Sequence, residues 1–370
     1  MHPLLAATAH PEVPVLHPLV LLAGALAACA PASTPTPPAA PRAPSAPPAA
    51  SPAPAPRALG TGTLVVLNKA GASAALVDLA SGEVYATLPT GDGPHEVAVS
   101  SDGRTAVVAN YGGAQVGGST LTVLDLAGRR VVKTIGLGEH RRPHGIAWLP
   151  DGRRVAVTSE TSRAVLLVDV AAGRVETAIP TGQAGSHMLA LALDGRRIFT
   201  SNIGSGSVSA LDVATGAHLG TIPTGEGAEG IDVSPDGAQV WVTNREADDV
   251  TVLDAATLRP LATFPSARMP IRVKLTPDGR TALVSNAMSG ELRVFDAATR
   301  RELAVIHTAE DPRSNPMPVG VLISPDGAMA YVAMMQGNEV AAVDLRERRV
   351  VGRIRPGAAP DGMAWSPLAK

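Results

Sequence analysis

"TIPTGEGAEGIDVSPDGAQVWVTN", residues 221–244, holds two runs of strand-forming residues about a turn and stops at an asparagine. Residues 177–202, "TAIPTGQAGSHMLALALDGRRIFTSN", repeat it with nearly every polar landmark in place. A recurrence at about forty residues signals stacked supersecondary units rather than one irregular domain. Working outward, an Asp-Gly pair recurs at Asp102, Asp151, Asp194, Asp236, Asp278 and Asp326, at spacings of 42 to 49 residues. Pro before the Asp and Gly after it, as in "SPDG", suit a tight turn whose last residue needs positive φ, so each pair predicts a hairpin.

Two more landmarks share the period. An apolar residue followed by Asp ends a run at Asp78, Asp125, Asp169, Asp212, Asp254, Asp296 and Asp344. These acids are expected to form turns, because Asp side chains bond to nearby backbone amides there. Asn closes the preceding strand at Asn68, Asn110, Asn202, Asn244 and Asn286, with Ser159 and Met334 in its place elsewhere. Between landmarks lie short runs of Val, Ala, Leu and Ile, and nothing has the length and periodicity of a helix.

Each unit therefore reads as four antiparallel strands, and four-stranded units at this period indicate a β-propeller. The last stretch, residues 360–370, is the opening strand of a unit whose other three strands stand first in the domain, at residues 63–88. One composite blade and six complete ones predict an all-β, seven-bladed ring over residues 61–370, closed by pairing of the C-terminal strand with the N-terminal ones. Such closure leaves no sheet edge exposed at the seam.

"WVTN" at 241–244, "PTG" at 89–91, 180–182 and 223–225, and "SPDG" at 234–237 and 324–327 resemble the YVTN or YncE-type propeller repeats of bacterial and archaeal cell-envelope proteins. That resemblance implies the seven-bladed fold. It does not choose an activity, because family members include binding and surface proteins and the architecture also hosts enzymes.

Residues 18–29, "PLVLLAGALAAC", form an apolar run too short to span a bilayer but of the length of a signal-peptide core. Its last residues, Leu26 to Cys29, resemble the lipobox of bacterial lipoproteins, which implies removal of residues 1–28 and lipidation of Cys29. Residues 30–58 alternate Pro with small residues, so residues 29–60 read as an extended, lipid-attached linker spanning roughly 80 Å at about 3 Å per residue. Ala30 lacks the aspartate associated with inner-membrane retention, so the resemblance favours the outer membrane, facing the periplasm, or the cell surface.

Cys29 is the only cysteine, which excludes a disulfide or a Cys-built metal site in the folded part. The formal net charge of −2 and the lack of a basic stripe with interleaved aromatics argue against nucleic acid. The chain is expected to be monomeric.

The Asp-Gly turns join first to second strands, so the starts of first strands gather on the opposite, top face. One position of the repeat reads His95, His144, His187, Glu229, Ile271, Val319 and Asp361 around the mouth of the central channel. Longer connections at 111–120, 136–142 and 308–317 fall on the same face, where insertions into repeat proteins usually build a binding surface. Tyr111, His140, Arg141, Arg142 and Arg313 are expected to surround the ring and contact an anionic or polar ligand. Met188, Met334 and Met335 read as core or channel lining.

The first functional expectation is a non-catalytic binding or scaffolding propeller for a ligand or an envelope protein. The second is a metal-dependent hydrolase or lyase in which His95, His144, His187 and Glu229 hold a divalent ion, as top-face His and Glu do in some seven-bladed lyases and lactonases. The third is a structural surface protein.

Overall fold

The computed structural model describes residues 58–311 and 313–370. The proposed signal peptide, Cys29 and the linker up to residue 57 lie outside the described residues. Seven four-stranded antiparallel sheets stand in the chain, each built from consecutive strands except one. The exception joins Pro360–Ser366 to Thr63–Asn68, Ser73–Asp78 and Glu83–Pro89, which is the closure read from the sequence. We call this blade 1. Blades 2 to 7 begin with inner strands Pro94–Val99, Pro143–Trp148, Ser186–Leu191, Ala228–Val233, Pro270–Leu275 and Pro318–Ile323. Among the described residues no helix is long and apolar enough to cross a membrane.

The landmarks have identifiable physical work. In blade 5 the Asp236 carboxylate accepts from the Ser234 hydroxyl and the Ala238 amide, and Gly237 takes φ 72° to close the turn. Asp212, Asp254 and Asp296 each accept from amides two and three residues on, as turn formers do. In the "VTN" motif, Thr243 donates to the carbonyl of Ile271 in the next blade, while Asn244 donates to Thr251 in its own third strand. Thr158 and Ser285 likewise donate to His187 and Val319 carbonyls of the following blades, at 2.6 and 2.7 Å, and Ser201 to that of Glu229. "PTG" is coupled to this: a Cβ on Gly91 or Gly225 would stand 2.7 Å from the side chain of Asn110 or Asn244. The repeat motif is thus the fastening of blade to blade.

Burial follows the alternation of strands. Second and third strands are covered on both faces, as in Val157 and Leu166 on one face and Ala156 and Val165 on the other, whereas fourth strands form the half-exposed rim. Sheets buried on both faces need apolar residues throughout. At the axis the inner strands approach so closely that a Cβ on Gly145 would lie 2.6 Å from the Leu189 amide nitrogen. One on Gly320 would collide with the carbonyl of Asp361.

Each inner strand also carries one extra residue at its top end. Between blade 3's first two strands, Pro143 pairs with Ser159 but Ile146 with Val157, so three steps face two. The same irregularity recurs in the other six blades. A bulge of this kind bends the strand and re-aims its side chains. All seven positions of the predicted ring lie in it.

Candidate functional site

His95, His144 and His187 come together as a cluster of touching rings, edge-on between His95 and His144 and tilted between His144 and His187. Ring centroids lie 4.9 Å apart between His95 and His144 and 3.7 Å apart between His144 and His187, and Tyr111 packs 4.3 Å from His95. The ring is buried rather than open: His95, His144, His187, Glu229 and Asp361 are all less than a tenth exposed. What covers it is a second tier one residue beyond the asparagine landmark, including Lys69, Tyr111, Glu160 and Arg245. A third, one residue deeper than the ring, contributes Glu96 and Arg272.

These tiers form one charged chain. The Tyr111 hydroxyl donates to Glu160 at 2.8 Å, and His187 donates through Nδ1 to Glu160 at 2.6 Å and through Nε2 to Glu229 at 2.9 Å. Glu229 also receives Arg245 at 3.0 Å and Arg272 at 3.5 Å. Arg272 then crosses the channel from blade 6 to pair with Glu96 of blade 2. Blades 2 and 6 stand three steps apart in a ring of seven, so this ion pair plugs the axis. Lys69 faces Asp361 at 3.8 Å.

The histidines differ in charge. Burial disfavours a proton on His187, but the carboxylates of Glu229 and Glu160 outweigh it and raise its pKa to about 9. Burial, with Lys69 nearby, depresses His95 to about 3. His144 is held well below its ordinary value by burial and by the charge of His187. Burial would raise Glu229, yet the His187 charge and hydrogen bond and Arg272 hold it at about 2. Burial raises Asp361 above the usual carboxylate range, and Lys69 and Arg272 only partly offset this. At neutral pH one imidazolium is clamped between two carboxylates beside two neutral imidazoles.

The arrangement does not fit the divalent ion suggested by the residue types. Among the described residues no group of three or more His, Cys, Asp or Glu is disposed to hold a metal. His187 has a carboxylate on each nitrogen, so neither is free to ligate an ion. The proposed set of His95, His144, His187 and Glu229 fails on both counts.

Above the cluster a cleft of about 530 Å³ is lined by Lys69, Asp92, Gly93, His95, Tyr111, Gly112 to Ala114 and Arg142. Its far wall is the extended hairpin of blade 2, formed by the predicted insertion at 111–120. Arg142 lies over the Tyr111 ring at 4.9 Å and donates to the Ala114 carbonyl at 3.0 Å. No described carboxylate lies within ion-pair distance of it. His95 donates through Nδ1 to the Gly93 carbonyl at 2.8 Å, leaving Nε2 without a partner among the described residues. Narrower grooves on the opposite face recur between blades 5 and 6, 6 and 7, and 7 and 1, and so belong to the repeat rather than to a site.

The other predicted residues lie further out. Arg141 is exposed and reaches the Gly117 carbonyl, His140 bonds Ser162, and Arg313 is exposed and pairs with Asp311. Glu96, Glu160, Arg245, Arg272 and Lys69 were not singled out from the sequence. Reading the columns on either side of the histidine and asparagine positions would have found all five.

Residues 70–322 match the family described as lactonase, seven-bladed β-propeller. No curated protein matches. Among solved structures, a functionally unknown protein from Desulfotomaculum acetoxidans is similar with a TM-score of 0.71 at 15% identity, over 83% of this chain and 100% of that one. Kuenenia stuttgartiensis hydrazine synthase is similar with a TM-score of 0.65 at 20% identity, over 80% of this chain and 96% of that one. At such identities the likeness is one of fold. The family match spans more than half the chain and agrees with the seven blades counted above, so the chain belongs to the lactonase, seven-bladed β-propeller family.

Proposed function

We propose that the protein binds a small carboxylate-bearing molecule in the top-face cleft without transforming it. One observation carries this reading: Lys69 and Arg142 bring two cations to one cleft, and Arg142 spends its hydrogen bond on a main-chain carbonyl. A guanidinium with no described carboxylate within ion-pair distance, lying over an aromatic ring, is a ready receptor for a carboxylate. The chain joins the ring near the Ser324–Asp326 turn, where Gly60 and Thr61 line a groove on the opposite face.

Titration calorimetry with acetate and succinate tests the reading. Arg142→Ala should weaken binding roughly 10- to 100-fold, the worth of a charge-assisted hydrogen bond. Absence of binding, or binding indifferent to both Arg142→Ala and Lys69→Ala, contradicts it.

A second reading rests on His95 and on the family. A neutral imidazole whose Nε2 has no partner among the described residues, beside two cations, could take a proton from water attacking a lactone carbonyl while the cations hold the oxyanion. Its depressed pKa makes it a weak base, which is why binding is placed first. Acid release from δ-valerolactone at constant pH, lost in His95→Ala, would favour the second reading. Equal rates with and without protein would remove it.

A further inference from the structure

The top face is polar on five blades and apolar on two. At the ring position blades 6 and 7 carry Ile271 and Val319, both buried. The residues just before those strands are Met269 and Met317, and Met335 follows the second strand of blade 7. These three methionines are half-buried and pack in one cluster with Ile271 and Val319. Met269 and Met317 hold left-handed backbone, φ 60° and 59°, at the position that is glycine in blades 2, 4 and 5. A long side chain in that conformation is strained where glycine would not be.

This apolar arc begins where the cleft ends. Blade 7's Gly320 runs against the Asp361 main chain of blade 1, and Asp361 faces Lys69, which lines the cleft. Anion-seeking side chains and adaptable thioethers thus border one another across a single blade. Methionine suits a flexible apolar guest because it is unbranched and polarizable.

We propose that the ligand is an amphiphile, an unbranched acyl chain ending in a carboxylate, with its head at Lys69 and Arg142 and its chain laid over Met317, Met335 and Met269. This rests on the anion-binding reading and adds the chain to it. The cations supply charge complementarity for the head, and the methionine arc is the apolar surface continuous with them.

Calorimetry with butanoate, octanoate and dodecanoate, each below its micellar concentration and at one ionic strength, tests it. Each methylene seated on the arc should tighten binding about fourfold. Octanoate should therefore bind at least about thirtyfold more tightly than butanoate even if the chain is only partly covered. The double variant Met317→Gln, Met335→Gln should lose that gain and keep butanoate affinity. If its circular dichroism shows it unfolded, Met269→Gln on the neighbouring blade replaces it. Equal binding of butanoate and octanoate overturns the proposal while sparing the anion reading. A chain-length gain that survives the methionine changes also overturns it, and failure of every alkanoate to bind sinks both.

Discussion

Arg272→Ala should lower the stability of the ring by about 3–5 kcal/mol, the usual cost of removing one partner from a buried ion pair. The side chain is almost wholly buried, crosses the channel to Glu96 and also serves Glu229. Alanine would leave Glu96 without its cross-channel partner and deprive Glu229 of one of its three cations. The loss comes from stranded charge more than from the worth of the pair. Arg272→Met combined with Glu96→Gln should therefore recover much of it, since apolar or neutral replacement of a whole buried pair is often tolerated. Urea denaturation of the three proteins reads this directly. A midpoint for Arg272→Ala equal to wild type would mean that the pair does not bridge the axis.

The second large effect is on pH dependence. His187 has a folded pKa of about 9 against 6.5 for the free side chain, so the native state binds the proton more tightly than the unfolded one. Its contribution is complete below pH 6.5 and disappears as pH rises through about 9. The amount is on the order of 3 kcal/mol, at about 1.4 kcal/mol per unit. His95 and His144, depressed in the fold, act with the opposite sign: their contribution is present above about pH 6.5 and falls away on acidification. Stability should peak near pH 6.5 and fall on both sides. His187→Gln should start lower and show no alkaline fall, and an unchanged alkaline limb in that variant would contradict the assignment.

Much of the fold was legible because each landmark does the same job in the blades that carry it. Asp-Gly turns, the Thr-Asn end of the second strand and the orphan strand at 360–370 each have one geometric meaning, so the blade number followed from counting. The histidine column was legible for the same reason. Glu96, Glu160 and Arg272 were not, and the cause is the bulge. Strand alternation puts neighbours such as Ile271 and Arg272 on opposite faces, so one column is expected to serve the channel. The extra residue at the top of each inner strand brings a second column, with Glu96 and Arg272, to the axis as well. The expected metal failed for a related reason. Residue types indicate ligands, but only the folded ring shows that Glu160 and Glu229 take both nitrogens of His187.

Ring closure divides three histidines from three blades into one clamped cation and two neutral rings beneath the cleft proposed to bind anions. Imidazole NMR across a pH titration, with signals assigned by His95→Gln, His144→Gln and His187→Gln, tests it most directly. The expected His187 midpoint is about 9, with His95 and His144 still neutral when pH falls through 6.5. Three histidines titrating together near 6.5 would contradict it.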